Sequence, residues 1–288
     1  MRKIYNTLYN FMATGLPFEE QARISKEMGF AGLEAFVGFS DEDLEVFKKY
    51  DLEAMEARVQ YDDNGDFKNI ENMQKIGIKY ISGAEGYWDH ETAMKAAEQL
   101  NALGKKGQPY GFKADSHNHT GEFCFDEVEG CYCWETVAKN TDPDLVCFKM
   151  DIGWSTIAGV DSNYLIKKYP GRVELVHIKP ATKILNPDTM NNGKQQAERP
   201  RPANGERPRF DMNDPAVKAM LAEMNKRMAV AQGPMENFVR DLKEILDTAE
   251  KFGAKSFIIE RDGYYKEDRL EVIREDLAYV KKIWADLA

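Results

Sequence analysis

The chain has 288 residues, 43% hydrophobic and 31% charged, with a formal net charge of −10 at pH 7. That composition is globular, no apolar run approaches the roughly 18 residues of a membrane span, and the acidic balance disfavours a nucleic-acid groove. Met1-Arg2-Lys3 runs into too many polar residues for a signal core, so a cytoplasmic protein is expected, with Cys124, Cys131, Cys133 and Cys147 as reduced thiols.

Along the chain one grammar recurs: an amphipathic stretch ends near Gly or Asp, and a short β-type run follows. The strands predicted this way are Lys3–Phe11, Ala31–Val37, Leu52–Val59, Ile78–Ser82, Tyr110–Ser116, Leu145–Met150, Val173–Ile178 and Lys255–Glu260. Helices are predicted at Pro17–Met28, Asp41–Lys49, Phe67–Ile76, Asp89–Leu103, Cys133–Lys139, Asp161–Lys168, Pro234–Lys251 and Asp268–Asp286. Eightfold strand–helix alternation predicts an α/β (β/α)8 TIM barrel in one domain, residues 1–288. The alternative, a doubly wound open sheet, lacks support because no Gly-rich phosphate loop follows any strand. One segment, 181–235, breaks the rhythm with Arg199-Pro200-Arg201-Pro202, Arg207-Pro208-Arg209 and a predicted helix over Asp214–Ala229. An insertion there, after strand 7, would stand on the active-site face as a lid or substrate-contacting loop, with a subunit contact or simple disorder as the alternatives.

In such a barrel the chemistry comes from strand C-termini. Those ends carry Glu34 on strand 2, Glu56 and Arg58 on strand 3, and Asp115-Ser116-His117-Asn118-His119 with Glu122 on strand 5. Strands 6 to 8 end in Lys149-Met150-Asp151, His177-Ile178-Lys179 and Glu260-Arg261-Asp262. Three of the four histidines lie at strand ends, beside Asp151 and Glu260. Imidazoles and carboxylates converging on one rim suit one divalent ion, whether Mn, Co, Zn or Mg. His117 and His119 share a face, so one can ligate while the other faces substrate. Lys179 beside a dication should hold its proton less firmly and meet a substrate oxyanion; its alternative is an ion pair with Glu260 or Asp151. Glu34, Arg58, Trp154 and Tyr264 are the expected substrate contacts, with Tyr9, Trp154 and Tyr264 or Tyr265 as stacking platforms for a sugar.

Ser116-His117-Asn118-His119-Thr120-Gly121-Glu122-Phe123 and Asp151-Ile152-Gly153-Trp154…Ala158-Gly159-Val160-Asp161 resemble segments of the xylose isomerase-like superfamily, the sugar phosphate isomerase/epimerase group. Val173–Lys179 and Phe257–Glu260 extend the resemblance over nearly the whole chain. It implies a metal held by one residue from each of strands 5 to 8: His117, Asp151, His177 and Glu260. Where many relatives carry Glu on strand 5 this chain has His117, which removes one negative charge from the ligand set. Pro180 stands where many have Asp.

The function this implies is a metal-dependent isomerase or epimerase of a sugar, keto-sugar or cyclitol. His119 or Glu122 would act as base, Lys179 would stabilise an enediolate, and the substrate would be a small molecule rather than nucleic acid or membrane. A dehydratase or lyase shares that intermediate, and a sugar-binding barrel without catalysis is the third reading. A homo-oligomer is compatible with the sequence. A repair endonuclease of this fold would need more histidines and a less acidic surface.

Overall fold

A computed structural model describes residues 2–184 and 230–287, apart from Ala13 and Ala35, with Ala219 and Ala222 alone between the two stretches. Its strands are β1 (Ile4–Thr7), β2 (Gly32–Glu34), β3 (two short segments, Glu53–Ala54 and Glu56–Ala57), β4 (Tyr80–Ser82), β5 (Lys113–His117), β6 (Val146–Asp151), β7 (Val173–Ile178) and β8 (Ser256–Ile259). All pair in parallel, in the order β3-β2-β1-β8-β7-β6-β5-β4 and back to β3. The sheet closes because the first segment of β3 pairs with β2 and the second with β4. Met55 N donates to Leu33 O at 3.0 Å, and Phe36 bridges Ala57. The predicted TIM barrel is the observed fold.

Helices follow the strands where the patterning predicts them, except that the predicted Pro234–Lys251 is a 3-10 turn, Met235–Asn237, and an α-helix that starts only at Leu242. Ser40 and Asp89 cap Asp41–Lys49 and His90–Gly107 through reciprocal capping boxes, and Asp161, Asp241 and Asp268 cap three later helices. Two elements were not anticipated. A short antiparallel hairpin, Phe125–Asp126 with Cys131–Tyr132, follows β5. A helix, Ile152–Ile157, starts directly at the end of β6, where Asp151 Oδ1 accepts from Trp154 N at 2.8 Å as its N-cap. Gly153 lets that helix press against β7: a Cβ there would collide with the Lys179 carbonyl.

Residues 185–229 of the expected lid, including all but two residues of its predicted helix, lie outside the described residues. The flanks of the insertion meet side by side, Thr182 N donating to Ala231 O at 2.9 Å and Val239 N to Ala181 O at 2.8 Å. Among the described residues no helix is long and apolar enough to cross a membrane.

Candidate active site

The barrel interior is stacked in layers, because alternate residues of each strand point inward. At the bottom, Tyr5, Met55, Tyr80, Cys147, Leu175 and Ile258 form an apolar cluster. One step up, the interior is charged. Lys149 Nζ lies 2.7 Å from Glu34 Oε1, 3.0 Å from Glu56 Oε2 and 3.6 Å from Asp115 Oδ1, all of them buried. Burying one ammonium costs several kcal/mol, so it persists here only with carboxylates around it. Burial, then the neighbouring carboxylates, raises the Glu56 pKa well above the usual range; Glu34 is held well below it, Lys149 and His177 outweighing the cost of burial.

The top layer brings together His117, Asp151, His177 and Glu260, whose ligand atoms lie within 4.8 Å of one another. His117 Nε2 is 3.5 Å from Asp151 Oδ2, and His177 Nδ1 is 2.6 Å from Glu260 Oε2. These four atoms are buried and have no aligned hydrogen-bond partner among the described residues. Lys179 Nζ reaches the two carboxylate oxygens, at 3.1 and 3.3 Å, so the cluster already gathers around one positive charge, as it would around an ion. A second set, Glu85, His117 and His119, also gathers its ligand atoms within that span. Within it, His117 Nδ1 stands 3.7 Å from Glu85 Oε2.

The site is rigidly braced. Asn118 Oδ1 accepts from Asp151 N at 3.0 Å while its Nδ2 donates to Asp151 O at 3.2 Å, so β5 holds the backbone of the β6 ligand. His177 Nε2 faces Glu34 Oε1 at 3.3 Å. Burial alone would depress the His117 pKa, but Asp151 and Glu85 raise it to about 10. Burial likewise opposes charge on Glu260, yet Lys179 and His177 hold its carboxyl well below the ordinary range.

The remaining predicted residues divide. His119 stands at the rim, its ring 4.8 Å from that of His117 and 5.9 Å from that of Trp154. The surrounding protein and the His117 charge lower its pKa, which keeps the imidazole neutral. Lys179 lies over the Trp154 ring at 5.0 Å, with Nζ 3.1 Å from Asp151 Oδ2, 3.3 Å from Glu260 Oε2 and 2.7 Å from Asp262 Oδ2. These contacts are the ion pairs with Asp151 and Glu260 expected as the alternative reading of this side chain. Burial lowers its pKa, but three carboxylates override burial and raise it well above normal.

Three expectations are corrected. Glu122 is no base: its two oxygens accept backbone N–H from Gly86 at 2.7 Å and His119 at 2.8 Å, making it a brace for the His119 loop. Glu34 is fully buried between Lys149 and His177 rather than presented to substrate. Tyr264 is a core ring, 5% exposed, packed on Arg269 with its hydroxyl turned to Asn10 and the Arg261 carbonyl. Its neighbour Tyr265 packs outward, bonded to Glu275. Arg58 donates to the Tyr9 hydroxyl beside a groove lined by Leu8, Met12 and Val37.

The sequence places Lys149 in strand 6 and Asp262 at the end of strand 8, but assigns neither a role. Lys149 left a signal: a charge flanked by Phe148 and Met150 in a strand buried throughout must be partnered inside the barrel. Asp262 left none, since its contacts to Lys179 and to Gln232 Nε2, at 3.1 Å, come from two other segments.

No protein-family model matches the chain. By sequence it is similar to an inosose dehydratase of Bacillus cereus, 34% identical over 95 residues, 33% of this chain and 29% of that protein. An inosose dehydratase of Mesomycoplasma hyopneumoniae is 24% identical over 195 residues, 58% of this chain and 64% of that one. The chain thus spans less than two thirds of these relatives' lengths. By structure it is similar to a sugar phosphate isomerase/epimerase from Parabacteroides distasonis, TM-score 0.64 at 17% identity over 97% of this chain and 93% of that one. A xylose isomerase-like TIM barrel protein from Mycobacterium smegmatis, in complex with magnesium, gives a TM-score of 0.59 at 15% identity over 98% and 96%. The resemblance read from strands 5 to 8 therefore extends through the whole architecture, and the chain has the fold of the xylose isomerase-like TIM barrels.

Proposed function

We propose that this chain is a metal-dependent isomerase or epimerase acting on a sugar, keto-sugar or cyclitol by removing a proton next to a carbonyl. The observation that carries this reading is the set of four buried ligand atoms gathered from β5, β6, β7 and the end of β8, with His119 and Lys179 beside them. Two imidazoles and two carboxylates fit one divalent ion of the Mn, Co, Zn or Mg kind. When bound, such an ion supplies Lewis acidity that polarises a substrate carbonyl. His119, neutral at the rim, accepts the α-proton at a ring nitrogen. The Lys179 ammonium donates to the oxyanion of the resulting enediolate, and Trp154 offers its ring to an apolar sugar face. Returning the proton to the other face or the adjacent carbon completes epimerisation or isomerisation.

A dehydratase is the second reading, favoured by the likeness to inosose dehydratases. There the enediolate expels a β-hydroxyl, and the proton held by His119 leaves with it as water. Incubating the metal-loaded protein with an inosose and with ketoses in deuterated water separates the two. Deuterium at the α-carbon of a recovered isomer supports the first reading, and an unsaturated product lacking one water supports the second. A protein that binds its ion and yields neither contradicts both and leaves a sugar-binding barrel.

A further inference from the structure

The charged layer beneath the site has no counterpart in the reaction just described, and one of its members touches a ligand. Glu34 Oε1 lies 2.7 Å from Lys149 Nζ and 3.3 Å from His177 Nε2, with no exposure to solvent. An ionised carboxylate only accepts, so His177 Nε2 carries the hydrogen and donates it to Glu34. The other ring nitrogen, Nδ1, is then the one that can give a lone pair once an ion displaces any proton it shares with Glu260 Oε2, 2.6 Å away. It is also the atom that faces Glu260 within the ligand cluster.

We infer that Glu34, anchored by Lys149, is a positioning residue that fixes the tautomer and ring orientation of His177 for ion binding. Without the Glu34 contact, rotation of the ring about its bond to Cβ would exchange Nδ1 for a carbon in the cluster. Lys149 sets where Oε1 stands, because it is itself held against Glu56 and Asp115. A carboxylate behind an imidazole also makes the ligating nitrogen a stronger donor. Glu34 thus acts on the ion from β2 although only β5 to β8 supply ligands.

This rests on the reading that His117, Asp151, His177 and Glu260 hold a divalent ion. The test is titration of metal-free wild-type protein and the Glu34→Gln variant with Co2+, followed by visible absorption. The expected result is binding by both, weakened by about 10- to 100-fold in the variant, with an altered Co2+ spectrum. The same pair is compared in a His177→Ala background, where the Glu34→Gln penalty should vanish because its target is gone. A merely structural Glu34 would lower thermal stability but leave affinity and spectrum alone. Should Glu34→Gln fail to fold, Glu34→Asp keeps the charge near Lys149 while drawing the oxygen back from the imidazole, and the same weakening is expected. Equal affinity in wild type and variant, or an equal penalty with and without His177, overturns the inference while leaving the metal site standing. A wild type that takes up no Co2+ overturns both.

Discussion

The two halves of this barrel are built for different work. The β5–β8 half has strands of four to six residues, and four consecutive strands each deliver one residue to the cluster that could hold an ion. The β1–β4 half has segments of two to four residues and no ligand in that cluster. Its side chains instead make an aromatic core between sheet and helices, where Phe36 sits 4.4 Å from Phe18 and 5.3 Å from Phe47 by ring centroids. Besides the apolar Tyr5, Met55 and Tyr80, it sends Glu34 and Glu56 into the barrel. The lesson is a division of labour: one half presents the candidate ligands, and the other adds two buried carboxylates that meet Lys149 beneath them.

The sharpest break of this comparison comes from Asp151→Asn. Asn keeps the oxygen that caps Ile152–Ile157, so the helix should survive. What it removes is one of the two negative charges in the ligand set. Ion content and turnover should both collapse, by more than the roughly 10- to 100-fold that outer partners cost. Retained turnover at full ion occupancy would show that the β5–β8 half does not work as described.

His119→Asn separates chemistry from ion binding within that half. Its ring stands beside His117 but outside the four-atom cluster. Proton exchange at the substrate α-carbon should fall about 10²- to 10⁴-fold with ion content unchanged. Loss of the ion instead would make His119 a ligand of the Glu85–His117 set. In the wild type, a base with a lowered pKa stays unprotonated at neutral pH. The rate should therefore decline only as pH falls below the ordinary histidine range.

How much of this was legible in the sequence follows the same division. His117, Asp151, His177 and Glu260 could be read because ionisable residues ending short apolar strands are locally conspicuous. Their convergence then follows from the barrel. Glu34 and Glu56 could be placed at strand ends, but their role could not be read, since their partner Lys149 lies 115 and 93 residues away and is found only once the barrel closes. Glu122 and Tyr264 were misread for a related reason. Position after a strand end does not say whether a side chain turns to the cup or back to its own loop.

A smaller effect comes from pH. The His117 pKa of about 10 in the metal-free protein means the ring is protonated across the neutral range. An ion must displace that proton, so affinity should rise as pH rises toward about 10. The sign for stability is opposite. A histidine pKa raised on folding stabilises fully below its unfolded value of about 6.5, and that contribution is lost as pH climbs through about 10. Thermal unfolding of the metal-free protein across this range checks it; ion affinity independent of pH would contradict the protonated ring.

The smallest effect belongs to Tyr264→Phe. Its hydroxyl contacts are long, 3.4 Å each, so the loss should be at most about 1 kcal/mol of stability, with KM unchanged. A raised KM would return Tyr264 to the substrate surface.

The central claim is one divalent ion held by His117, Asp151, His177 and Glu260. The most direct test is a Co2+ titration of the metal-free wild type and Glu260→Gln, with thermal unfolding of both. The account predicts one ion per chain in the wild type at the four-residue cluster, release in the variant, and an intact fold in each. A wild type that stays empty under excess Co2+, or a Glu260→Gln variant that binds as tightly as the wild type, would contradict it.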